Sequence, residues 1–136
     1  MFVRSPEHPS LHYHPSELWW ATKDTSYLDQ ARAIANAVIA SPDLTQEGIL
    51  TELCEATGDC NKDQQVFKGI FARNLAGLNR VLEGDPYRKY LMQNARSAYE
   101  KASNATGFYD VSWRGPFTAS SLGTQASAAS LFVSLI

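Results

Sequence analysis

Two carboxylates and both cysteines of the chain, Glu52, Cys54, Cys60 and Asp63, fall in one stretch, GILTELCEATGDCNKDQQVFKGIFAR. A carboxyl pair can divide general acid and base work between its members. Cys54 and Cys60 enclose EATGD, a stretch that contains Gly58. A loop of that length through a glycine can bring two Cα atoms within the roughly 7 Å that a disulfide needs. The spacing therefore reads as a Cys54–Cys60 disulfide, with two buried free thiols as the other reading. A structural zinc site calls for four ligands, and no His–Cys set with finger spacing is present. His12 and His14 form an H-x-H pair with no Cys or carboxylate cluster beside it, which reads as solvated leader rather than a metal site. The sequence has no Cys–His dyad, phosphate-cradling glycine loop or HExxH motif, and nothing in it calls for a cofactor. Asn104-Ala105-Thr106 is a glycosylation sequon, and like the disulfide it leans towards an oxidising compartment.

These residues need a scaffold. The 136 residues suit one domain, and 44% hydrophobic against 19% charged residues allows a real core. A formal net charge of −2 supplies no basic surface for nucleic acid. No apolar run approaches the ~20 residues of a membrane span. Residues 1–15 are polar and broken by prolines, without the layout of a signal peptide, and are expected to form an irregular leader.

From residue 16 on, apolar spacing of three and four residues predicts helices. A short one covers about 16–22. A clear one runs from Ser26 to Ala40, started by Asp24 or Thr25 and stopped by Ser41-Pro42. The next begins at Asn61, with Gln64 completing a capping box, and carries Val66, Phe67, Ile70, Phe71, Leu75, Leu78, Val81 and Leu82 inward until Gly84. Asp85-Pro86 should start a fourth helix with Tyr87, Tyr90, Leu91, Ala95, Ala98 and Ala102 inward. A last helix is expected from about Thr124, with Ala128, Ala129, Leu131, Phe132 and Leu135 inward. Short turns alternate with two long loops, 43–62 and 103–123, which should sit together at one end of the helices. Nothing reads as a strand beyond local pairing in GILTEL.

The cysteine stretch, read as GIL–TE–C–(x5)–C–(x2)–DQ–(x2)–FKGIFAR, resembles glycoside hydrolase family 76, the endo-1,6-α-mannanases. LWWATKDTSYLDQARAIANAVI, YLMQNARSAY and GFYDVSWRGPF followed by QASAASLFVSLI resemble further blocks of the same family, in order. The likeness spans about residues 17–136. It implies an all-α fold, part of an (α/α)6 toroid, with about five helices of twelve in this chain. It implies a mannan partner, a secreted or cell-surface setting, and residues 16–136 as the C-terminal portion of a catalytic domain. Retaining hydrolysis needs two carboxyls about 5–5.5 Å apart, and the family takes both from adjacent aspartates. The sequence has no Asp-Asp. The resemblance thus implies a glycosidase fragment with no catalytic residue of its own, inactive and prone to self-association alone. The alternative is a non-catalytic helical carbohydrate-binding or interaction protein.

On that likeness the cysteine loop becomes a cleft rim presenting Glu52 and Asp63. Gln64 can bind a sugar hydroxyl or cap its helix. Lys68 can reach the glycan or a carboxylate, with Asp63 or Glu52 as the expected ion-pair partner. Trp113 can stack on a sugar face or anchor its loop in the core.

Overall fold

The computed structural model describes residues 3–4, 12–13 and 15–136. Within the leader, β1 (Val3–Arg4) pairs antiparallel with β2 (His12–Tyr13), so these residues are paired where no regular structure was expected. The metal reading of His12 and His14 concerns side chains outside the described residues.

Helix α1 (Pro15–Thr22) starts on a proline, whose missing N–H costs nothing in a first turn. Helix α2 (Ser26–Ala40) has the predicted bounds. Asp24 accepts the Ser26 N–H at 2.9 Å and caps it. The extended Ser41 ahead of Pro42 ends it. Ala31, Ala35 and Val38 are its buried stripe.

The first long loop holds a small hairpin, β3 (Thr45–Gln46) against β4 (Ile49–Leu50). Its two-residue turn, Glu47-Gly48, has φ of 56° and 80°, the doubly left-handed turn that matches strand twist. Helix α4 (Arg88–Lys101) clamps this hairpin. Asn94 accepts the Leu50 N–H at 2.7 Å and donates to the Gly48 carbonyl, and Gln93 donates to that of Glu47. A one-turn 3-10 helix, Leu53–Ala56, follows.

Helix α3 (Gln64–Val81) is the centre of the fold, packed on α5 (Leu122–Val133), α2 and α4. Asn61 Oδ1 accepts the N–H groups of Asp63 and Gln64, and the Gln64 side chain accepts that of Asn61, the reciprocal cap expected from sequence. Helix α4 (Arg88–Lys101) starts later than Asp85-Pro86 predicted. Asn79 takes over that turn: its Nδ2 donates to Asp85 and its Oδ1 accepts the Tyr87 N–H at 2.8 Å. Asp85 is thereby held at a φ of 48° instead of capping a helix. Helix α5 (Leu122–Val133) starts two residues earlier than expected, because Ser121 and Thr124 cap each other.

The core joins Ala31, Ala35 and Val38 of α2, Ala72, Leu75 and Leu78 of α3, Leu91, Ala95 and Ala98 of α4, Leu131 of α5, and Trp113. Two inward assignments fail: Phe67 is 48% exposed, and Ala129 faces solvent. The fold is mostly helical, with five α-helices and two short antiparallel strand pairs among the described residues.

Candidate functional site: a cleft between two loops

The two long loops face each other across a cleft of about 640 Å³. One wall is the hairpin and cysteine loop, with Asp43, Glu52 and Cys60; the other is residues 110–121, with Asp110 and Arg114. Gln65 and Thr124, from the first turns of α3 and α5, close the end. Both helices thus aim N-termini, the positive ends of their dipoles, at the cleft.

Cys54 and Cys60 are disulfide-bonded, with Cα atoms 5.0 Å apart. The bridge ties the one-turn helix to the chain just before α3. Gln65 extends the wall, donating to the Cys60 carbonyl and accepting from Ser121 Oγ of the opposite loop.

Asp110 organises that opposite loop. It is 4% exposed and accepts four hydrogen bonds, from the N–H groups of Ser112, Thr118 and Ala119 and the Thr118 hydroxyl. Burial alone would raise its pKa, but these donors outweigh it and hold the carboxyl below the usual aspartate value. A general acid needs the opposite shift, so Asp110 is built to hold a loop rather than to donate a proton.

At the floor of the cleft, where Glu55 lines it, lies a buried ion pair. Lys68 Nζ meets Glu55 Oε1 at 2.6 Å, with side chains 2% and 5% exposed. The ammonium lies 4.6 Å from the centre of the Trp113 ring. Burial pushes the Lys68 pKa down, while the charges of Glu55, Glu52 and Asp110 pull it back.

The residues singled out from sequence separate into distinct places. Glu52 lines the cleft, half-buried. Asp63 is exposed beyond the cleft lining, at the start of α3. Gln64 is occupied as the Asn61 cap, and Gln65, one residue on, is the one that reaches the cleft. Lys68 pairs with Glu55 and with neither Asp63 nor Glu52, because the one-turn helix swings Glu55 under the loop. Trp113 is 1% exposed beneath Lys68, in the core, with no ring face open to a ligand. Asn104 is half-buried, its Oδ1 accepting from Thr106 and Phe108.

Glu55, Asp110 and Arg114 were missed. Asp110 carried a readable signal, since aspartate two residues before Ser112 suits an Asx turn. Glu55 carried a weaker one, as the acidic third residue of a single helical turn.

Among the described residues, no helix is long and apolar enough to cross a membrane, and no cluster of three His, Cys, Asp or Glu could hold a metal ion.

No curated protein matches the chain. Solved structures do. An inactive variant of the α-1,6-mannanase GH76A of Salegentibacter sp. HEL1_6, with two aspartates replaced by asparagine and α-1,6-mannotriose bound, superposes with a TM-score of 0.77 at 25% identity, covering 89% of this chain and 36% of that one. A second inactive variant, with α-1,6-mannotetrose, gives 0.77 at 26% over the same shares. The Lin0763 protein of Listeria innocua gives 0.76 at 22%, a likeness of fold, over 89% of this chain and 33% of its own. The chain therefore spans about a third of the length of these solved proteins. The sequence model of glycosyl hydrolase family 76 matches residues 15–136, and the chain belongs to that family.

Proposed function

We propose that the chain is a portion of an α-1,6-mannan-acting glycosidase, and that its two-loop cleft is one wall of the glycan site. The observation that carries this is the cleft itself, about 640 Å³ with a mixed lining of carboxylates, hydroxyls and Arg114, in a chain whose solved relatives hold α-1,6-linked mannosides. Hydroxyls and carboxylates are the groups that hydrogen-bond sugars. On this reading the five helices are a sector of an (α/α)6 toroid, and residues 16–136 belong to its catalytic domain. Glu52 accepts hydrogen bonds from the glycan, while Lys68 and Trp113 support the site from below. The disulfide and the Asn104 sequon fit a secreted setting.

The catalytic carboxyls lie outside this chain. Support comes from the lack of any Asp-Asp and from the state of the cleft carboxylates. Glu55 is held by Lys68, and Asp110 by four donors with a lowered pKa. Both carboxyls are committed to holding the loops, which suits neither to serve as the acid of a retaining pair.

Two assays on the purified chain test this. Calorimetry with α-1,6-mannotriose should detect binding that weakens in Glu52→Gln. Incubation with α-1,6-mannan should release no reducing ends above background. Turnover lost in Glu52→Gln would overturn the inactive reading, and absence of mannoside binding would overturn the glycan site.

A further inference from the structure

Lys68 is the only buried lysine or arginine among the described residues, and its ammonium touches both cleft loops. From the first loop it meets Glu55 Oε1 at 2.6 Å and donates to the Leu50 carbonyl at 3.3 Å. From the second it meets the Trp113 ring at 4.6 Å. The same Glu55 Oε1 accepts the main-chain N–H of Glu52 at 2.8 Å. One ammonium thus grips the segment Leu50–Glu55 at both ends, with Glu52 between them. Trp113, on the opposite side, is followed directly by Arg114 of the other wall.

Glu52 occupies a particular place. It lines the polar cleft and also a second, apolar groove of about 360 Å³ formed with Val38, Leu44, Leu50, Phe67 and Phe71. It is the N-cap of a single helical turn, in a capping box with Glu55. A side chain on such a segment keeps a fixed direction only if its support is locked.

We propose that Lys68 and Glu55 form a positioning pair, which fixes the Glu52 carboxylate at the junction of cleft and groove and sets the Trp113–Arg114 wall across from it. This deepens the glycan-site reading and rests on it for the ligand. A buried ion pair commonly adds no more stability than apolar residues of equal volume would. Its value here is geometric: a single charge contact fixes two loops against α3. Glu55 borders the cleft, but its Oε1 is taken by Lys68 and the Glu52 N–H, so the pair acts through Glu52.

Amide hydrogen exchange and mannotriose calorimetry on the full chain test the proposal. The variants are Lys68→Met and Glu55→Gln, with Glu52→Gln as the ligand-contact control. In the first two, the amides of residues 52–57 should exchange about tenfold faster while the amides of α2 and α4 keep their protection. Mannotriose affinity should fall about tenfold with them. Glu52→Gln should lose affinity with loop exchange unchanged. Should Lys68→Met fail to fold, Glu55→Gln, which keeps size and an acceptor for the Glu52 N–H, carries the same test. Uniform acceleration across all helices, with the loop no faster than the rest, would reduce the pair to an ordinary core contact and overturn the proposal. So would a freed loop that leaves affinity intact. If the unaltered chain binds no mannotriose, the glycan reading fails, and the exchange pattern alone decides whether the pair positions Glu52.

Discussion

The main-chain N–H of Gly69 donates to the hydroxyl of Ser127 at 2.9 Å, and a β-carbon on Gly69 would stand 2.5 Å from the Ser127 Cα. Here α3 and α5 cross in backbone contact, one to two turns below the cleft. Gly69→Ala would gain up to about 1 kcal/mol of helix propensity. The obstructing atom is backbone, however, so the helices must part, and overpacking of this kind costs roughly 1–3 kcal/mol. The clash should win. Thermal melting is expected to fall, and an unchanged or raised melting temperature would show that the crossing has slack.

The Cys54–Cys60 bond closes a small loop at the cleft wall. The chain-entropy relation gives about 2 kcal/mol for a loop of this size. Cys54→Ser together with Cys60→Ser should lower unfolding stability by about that amount and loosen residues 53–60 first. Mass spectrometry of protein never exposed to reductant should find the two thiols missing from the free-thiol count. Two free thiols in such a sample would remove the bridge from the native molecule.

Much of this architecture was readable because it is periodic. Ala31, Ala35 and Val38 recur every three to four residues, and α2 has the bounds that this spacing and its caps gave. The capping box at Asn61 and Gln64 is equally local and equally visible. What escaped depends on partners far along the chain. The β3–β4 hairpin is two residues per strand and is held by Asn94, more than forty residues away. The start of α4 looked settled by Asp85-Pro86, yet Asn79 from the preceding helix holds Asp85 elsewhere. Lys68 sits on an inward face, but nothing in its spacing says that Glu55 rather than Glu52 turns beneath the loop to meet it. The sequence placed Trp113 near the site and could not say that Lys68 would occupy its face.

Asp110 makes the second loop pH-sensitive. Its folded pKa lies below the aspartate reference, so its ionised form is favoured by folding. That stabilisation is fully present above the unfolded value of about 3.9 and is lost as pH falls through the lower folded value. Asp110→Asn keeps the shape but replaces an acceptor of four bonds with an amide that offers one weaker oxygen. A loss of about 1–3 kcal/mol at neutral pH is expected. The gap between variant and parent should close in strongly acidic solution, once the parent's carboxyl is protonated. A gap that stays constant down to that range would mean that the charge contributes nothing.

The outer face of α5 predicts how the isolated chain behaves. Leu122, Ala126, Ala129 and Val133 recur at spacings of four, three and four, and Ile136 extends the row by three. Leu122 is 93%, Val133 62% and Ile136 98% exposed. This is a helical stripe as regular as a core face, yet apolar and turned to solvent. Isolated apolar residues on a surface are ordinary, but a contiguous apolar strip is rare on soluble monomers. Trp20, 60% exposed and partly screened by Lys23 4.1 Å from its ring centre, adds a second apolar site on α1. Burying the stripe gains roughly 25 cal/mol per Å² of apolar surface, with Arg73 and Arg80 bordering it beside Ala129 and Val133. The chain alone should therefore associate as concentration rises, seen as a growing mass in sedimentation or light scattering. Val133→Lys, at an exposed position with no core contact to lose, should reverse that growth without lowering the melting temperature. A parent chain that stays monomeric at every concentration would show that the stripe is tolerated in water, and self-association would have to be abandoned.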